Sequence, residues 1–359
     1  MSSPKSTNIG RGSPCNIQGH DDFLADIATS LSTGRMHHAW LITGPAGIGK
    51  ASMARIAAAC LLSEKAHSGA LFKMERPDLK IYAKDASTSL VMRGVHPDFK
   101  ITVPQTEDNK SGQIKIEQIR ELLPFMMHKP ARSGWRVAII DSMDDVNLNG
   151  ANALLKLLEE PPEQAVLFLI ASHIGHLPPT IRSRCRLVRM TRLAPDACML
   201  ALGHIWPDAD TNRLEILSKL SQGAPGQAVK LADSGAADLY QAACALLQSS
   251  VLNQPALANL CAKWGRGAAA GREIRAGAVF CIDRLLRHAA LRASKIKAGE
   301  LCSFEIQAIE RLASCHSAEQ LARFHTEFVT NAAKAERLYL DFSRFLERHL
   351  SKLYEKSLL

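Results

Sequence analysis

Along the first half of the chain, short apolar runs alternate with stretches in which apolar residues recur at helical spacing. Phe23, Leu24, Ile27 and Leu31 fall on one helix face. A strand is predicted at Ala39–Ile42, then a Gly-rich turn and an Ala-rich helix from about Lys50 to Leu62. Residues 63–98 are polar and without period, an expected irregular insertion. Phe99–Val103 reads as a second strand, Ile114–Met127 as a helix, and Arg136–Asp141 as a third strand that is apolar from Val137 until its terminal aspartate. The next helix has Asn147 or Asn149 as its expected cap and Leu148, Ala151, Leu154, Leu155 and Leu158 as its apolar stripe. Pro161-Pro162 stops it, because proline cannot continue the backbone ladder. Val166–Ala171 and Leu187–Met190 complete five strands. Apolar strands separated by helices imply a parallel sheet covered on both faces.

After Arg192 the strand signals cease. Short helices are predicted at Asp196–His204 and Asn212–Gln222, another begins at Gly226, and helical spacing continues to Leu359. The expected organisation is a flexible tail at 1–16, an α/β domain at 17–190, a small helical domain at 191–235 and a helical C-terminal domain at 236–359.

A length of 359 residues suits two or three domains, and 47% hydrophobic with 22% charged residues describes a globular chain. The apolar runs are far too short to span a bilayer, and Met1 to His20 has no signal-peptide character, so a cytoplasmic protein without a membrane partner is expected. A net charge of +9 is compatible with a polyanionic partner and equally with a merely basic protein. None of the nine cysteines forms a CxxC pair, so no zinc and no other resident metal is expected; they read as small buried apolar residues.

The sharpest chemical signal is Gly44-Pro45-Ala46-Gly47-Ile48-Gly49-Lys50-Ala51, between a strand and a helix. Glycines Gly44, Gly47 and Gly49 let backbone N–H groups face phosphate at a helix N-terminus, and Lys50 reaches the outer phosphates. Position 51, however, is Ala where a Mg²⁺-ligating hydroxyl belongs, and Ser52 is turned about 100° away on the helix. A nucleotide-binding loop for ATP or ADP with Mg²⁺ and a relic loop that binds nothing both remain open. Asp141 ends an apolar strand, where a carboxylate would hold Mg²⁺ through water, but Ser142 follows it in place of a water-polarising glutamate. Asp144 and Asp145 are expected to cap or solvate the next helix. Arg184, in Ser183-Arg184-Cys185, is either ordinary surface charge in the basic stretch Arg182 to Arg192 or a finger that neutralises a phosphoryl group bound by a neighbour. His96 has no paired partner in sequence and reads as a loop or packing residue.

The segments from His37 to Pro45, Ile116 to Arg120, Asn152 to Pro162 ("NALLKLLEEPP") and Leu177 to Cys185 (ending "RSRC") resemble, in that order, bacterial clamp-loader subunits of the AAA+ class. The resemblance covers roughly residues 17–235. It implies a RecA-like AAA+ module with a parallel sheet, a helical lid and an all-α collar. It also implies a five-subunit ring with gamma/tau and delta partners that places the sliding clamp on primed DNA. The family's phosphate-loop lysine falls on Lys50, its sensor-1 polar residue on Ser172, its arginine finger on Arg184 and its sensor-2 arginine on Gln227. Three ATPase positions therefore depart from the family: Ala51, Ser142 and Gln227. The cysteine cluster that many relatives place in the segment matching 63–98 is absent. A surviving finger beside an eroded ATP site resembles delta-prime more than gamma/tau. An active gamma/tau-type ATPase and a purely structural interaction module are the alternatives. Nothing resembles a polymerase or nuclease active site.

Overall fold

A computed structural model describes residues 19–63, 86–104, 112–132, 134–265, 271–297 and 299–355. The expected tail at 1–16 and most of the 63–98 segment lie outside them. The described residues divide into two compact units, one comprising 19–208 with 223–226 and the other comprising 209–222 and 227–355.

In the first unit β1 (Ala39–Thr43), β2 (Phe99–Thr102), β3 (Arg136–Asp141), β4 (Ala165–Ala171) and β5 (Arg186–Arg189) form one parallel sheet in the order β2-β3-β4-β1-β5. Successive strand residues point to opposite faces, and each face is apolar. Trp40, Ile42, Val137, Ile139, Phe168 and Ile170 share a core with α1 (Asp21–Ser32) and α2 (Lys50–Leu62). Ala39, Leu41, Ala138, Ile140, Leu167 and Leu169 share another with the helices Ile116–Met127 and Leu148–Glu159. This is a three-layer α/β/α module with a parallel sheet, and it places the C-terminal ends of β1, β3 and β4 side by side, where ligands bind in such sheets.

Several elements differ from expectation. α3 (Ala86–Met92) is a helix inside the segment expected to be irregular, with Ser87, Thr88 and Val91 buried although the segment has no apolar stripe. The strand expected at Leu187–Met190 is instead the edge strand β5, with Leu187 40% exposed, so only the three inner strands β3, β4 and β1 are buried on both faces. Its Arg186 stacks on the Trp40 ring at 4.6 Å and pairs with Asp26 at 2.9 Å. Helix α4 (Ile116–Met127) precedes α5 (Leu148–Glu159), which Asn147 caps by accepting from the Gly150 N–H at 2.8 Å. Leu148 is 67% exposed, and Leu157 takes the core position, because the stripe starts only once the first turn is complete. His96 is buried, with Nδ1 accepting from the Asp98 N–H at 3.1 Å. Asp98, fully buried, accepts from the Ala131 and Arg132 N–H groups at 2.6 and 2.8 Å.

The first unit continues with the helix Pro195–Ile205; the second unit is helical. Its core includes Tyr240, Trp264, Leu285, Phe324, Phe328 and Leu346. Cys244, Cys261, Cys281 and Cys302 are buried as small apolar residues, and burial pushes the Cys261 and Cys302 thiols up to about 12. Among the described residues no helix is long and apolar enough to cross a membrane.

Candidate functional site

The loop between β1 and α2 turns on glycines. Gly44 has φ 148°, Gly47 79° and Gly49 100°, backbone that side chains rarely adopt. At Gly44 the constraint is also steric, since an added Cβ would lie 2.2 Å from the Met190 carbonyl oxygen. Gly44→Ala is therefore expected to cost about 2–3 kcal/mol, read as a lower urea midpoint. Gly226 closes the loop from outside: its N–H donates to the Gly47 carbonyl at 2.8 Å, and an added Cβ would sit 3.0 Å from that oxygen.

Lys50 is only 6% exposed. An ammonium has three N–H donors, and Lys50 Nζ reaches the Gly44 carbonyl at 2.6 Å, the Pro45 carbonyl at 2.8 Å and Ser172 Oγ at 3.3 Å. Burial lowers its pKa, while the charges of Asp144 and Asp141 oppose that. Phosphate bound here would have to take donors from these three oxygens. The glycine backbone and this lysine fit a nucleotide phosphate. Ala51 brings no side-chain oxygen, so a Mg²⁺ ion would have to rely on Asp141 and water.

Asp141, at the end of β3, is mostly buried, and that burial raises its pKa; the charges of Arg55 and Lys50 pull it down and Asp145 pushes it up. Sequence reasoning missed Arg55, which stands on α2 and brings positive charge toward the aspartate. No signal in the local pattern marks it, because it reads as the polar position of an Ala-rich helix.

Asp144 corrects an expectation. It caps no helix; Asn147 does that. The short turn Met143–Asp145 swings the Asp144 carboxylate back onto the end of β4. There it accepts from the Ser172 N–H, from the His173 N–H at 3.0 Å and from the Ser142 hydroxyl at 2.9 Å. Burial alone would raise its pKa, but these donors and the nearby His173 hold it below the usual carboxylate range. Ser142 thus stands at the expected glutamate position as a donor to Asp144. The structure brings together Gly44, Gly47, Gly49, Lys50, Asp141, Asp144 and Ser172. Gln227 follows on the helix Pro225–Asp233, within the second unit.

Arg184 lies outside that cluster. It is half-buried after the short helix Pro179–Arg182, its Nη2 2.8 Å from Glu159 Oε1 and its Nη1 donating to the Thr180 carbonyl at 3.0 Å. The Glu159 partner comes from the end of α5, within the "LLEEPP" segment.

A family model described as DNA polymerase III, delta subunit, matches residues 19–194. The delta′ subunit of DNA polymerase III from Pseudomonas aeruginosa is 34% identical over 199 residues, which are 55% of this chain and 56% of that protein. Over residues 19–194, just under half of its length, the chain is similar to the clamp-loader subunits of the gamma, tau and delta′ type. The gamma subunit from Buchnera aphidicola is 29% identical over 219 residues, 60% of this chain and 56% of that protein. The Escherichia coli tau subunit is 29% identical over 226 residues, 62% of this chain and 33% of its own length. The chain thus spans between a third and a little over half of these clamp-loader relatives. Among solved structures, a Thermotoga maritima gamma subunit-related protein aligns over 94% of this chain and 99% of its own, at 18% identity and a TM-score of 0.44.

Proposed function

We propose that this chain is a delta-prime-like subunit of a DNA polymerase III clamp loader, working in a five-subunit ring with gamma/tau and delta partners to load the sliding clamp on primed DNA. Residues 17–190 are the AAA+ module, 191–235 the lid and 236–359 the collar. Arg184 acts in trans on nucleotide bound by a neighbouring ATPase subunit, and the chain's own hydrolysis is weak or absent. Gly44, Gly47, Gly49, Lys50, Asp141 and Ser172 form the cradle for any ATP or ADP that it holds without turnover.

The observation that carries the reading is Ser142. Hydrolysis by an AAA+ site needs a carboxylate beside the strand-end aspartate to polarise water. Here that position is a hydroxyl already donating to Asp144 at 2.9 Å. Ala51 removes the metal-ligating hydroxyl as well. Arg184, by contrast, is held among the described residues by groups that a phosphoryl anion can displace: one surface carboxylate and one carbonyl.

Reconstitution tests the proposal. The chain mixed with gamma/tau and delta should co-purify as one assembly, and the isolated chain should turn over ATP negligibly. Failure to assemble would overturn the subunit assignment. Turnover by the isolated chain that disappears in Lys50→Ala would favour an active gamma/tau-type ATPase instead.

A further inference from the structure

We propose that Asp144, His173 and His176 form a binding site for a transition-series divalent cation, with Zn²⁺ as its natural occupant. The inference does not depend on the clamp-loader reading. His173 and His176 flank a single 3-10 turn, Ile174–His176, closed by the His176 N–H donating to the His173 carbonyl at 3.1 Å. At three residues per turn, positions i and i+3 eclipse, so both imidazoles leave the backbone on the same side. Their rings stack with centroids 5.1 Å apart and planes 27° apart. Asp144 faces them from the other side, with Oδ1 3.7 Å from His173 Nδ1. One ligand atom from each of the three residues lies within 4.8 Å of the others.

The carboxylate is already oriented as a ligand needs to be. The Ser172 and His173 N–H groups and the Ser142 hydroxyl fix its plane. These are the outer hydrogen bonds that hold ligating carboxylates in place. Oδ1 accepts the His173 N–H, and a carboxylate oxygen with a single such donor keeps a lone pair for a metal. Both imidazoles are exposed, and the His176 ring stacks on that of His173. Tetrahedral coordination needs ligand atoms about 3.4 Å apart, so closing the site requires only small turns of exposed side chains. Two imidazoles and one carboxylate favour Zn²⁺, Cu²⁺ and Ni²⁺ over Mg²⁺ or Ca²⁺, and leave a fourth position for water. Because Ser172 precedes His173 and contacts Lys50, the occupied site would hold the end of β4 and, with it, one of the three partners of the phosphate-loop lysine.

The experiment uses the untagged full chain, stripped by chelation, titrated with Co²⁺ and then with Zn²⁺. One equivalent of Co²⁺ should give the visible spectrum of nitrogen and oxygen ligation without a thiolate charge-transfer band, and Zn²⁺ should displace it. His176→Ala should weaken binding by at least about tenfold, as loss of a group at a metal site does, while metal-free thermal unfolding stays at the wild-type value. Cys315→Ser, which removes the exposed thiol among the described residues, should bind as wild type does. No binding at micromolar metal, binding indifferent to His176→Ala, or a thiolate band would each overturn the proposal.

Discussion

Arg184→Ala in a reconstituted loader, assayed with clamp and primed DNA, should lower ATP hydrolysis at the one site the arginine faces by on the order of 10³-fold. Uncompromised neighbouring sites would dilute the loss seen in total turnover. The magnitude comes from the charge that develops on a transferring phosphoryl group, which a guanidinium fork meets with parallel hydrogen bonds. In the isolated chain the same side chain pairs with Glu159 and the Thr180 carbonyl at a half-exposed edge. Such exposed ion pairs contribute about 0–1 kcal/mol, so the variant should fold and assemble normally. Arg184→Lys keeps a charge without the fork and should recover only part of the rate. Undiminished hydrolysis in an intact Arg184→Ala complex would leave Arg184 as surface charge and favour a structural role for the subunit.

The largest stability effect is expected in the helical second unit, at Arg284 and Glu305. Both are buried, at 1% and 0% side-chain exposure, and they meet through Nε–Oε1 at 2.8 Å and Nη2–Oε2 at 3.0 Å. Further hydrogen bonds surround the pair. The Tyr240 hydroxyl donates to Oε1 at 2.7 Å, the Cys302 N–H donates to Oε2 at 2.7 Å, and Arg284 Nη2 reaches the Glu300 carbonyl at 2.8 Å. Arg284→Met strands a carboxylate in this core and should cost about 3–5 kcal/mol in urea unfolding at neutral pH. Replacing both residues with apolar ones of similar volume should cost far less, because no unpaired charge is left behind.

The pair also sets a pH dependence. Burial alone would raise the Glu305 pKa, but the hydrogen bonds and charge of Arg284, with the Cys302 and Tyr240 donors, hold it below 4.5. A depressed carboxyl contributes stability that is fully present above its unfolded value and lost as pH falls through its folded value. Wild type should therefore lose stability below about pH 4.5 in part through Glu305, and Glu305→Gln should lack that part of the acid-side slope.

The candidate site was half legible before the fold was known. The Gly44 to Lys50 spacing announces a phosphate loop because it encodes local backbone: positive φ at the glycines and a helix start at Lys50. Asp141 is equally legible, since it ends an apolar strand. Asp144 was not. Its direction is decided by a three-residue turn that carries the carboxylate to the Ser172 N–H, 28 positions away. Nor does spacing reveal that the loop's own carbonyls and Ser172 occupy the donors of Lys50.

The same division holds for the whole protein. Alternation and apolar runs determined the strands and the Pro161-Pro162 stop and narrowed the helix cap to Asn147 or Asn149, because each depends on residues within one turn or one strand. Tertiary structure alone decided that β5 is an exposed edge, that Leu157 and not Leu148 enters the core, and that residues 86–92 coil into a helix. It alone paired Arg284 with Glu305 across 21 residues and gathered Asp144 to His173 and His176. The reason is physical: periodicity records which face a residue occupies on its own element, whereas burial and partner choice arise only when distant elements close on that face and exclude water from it.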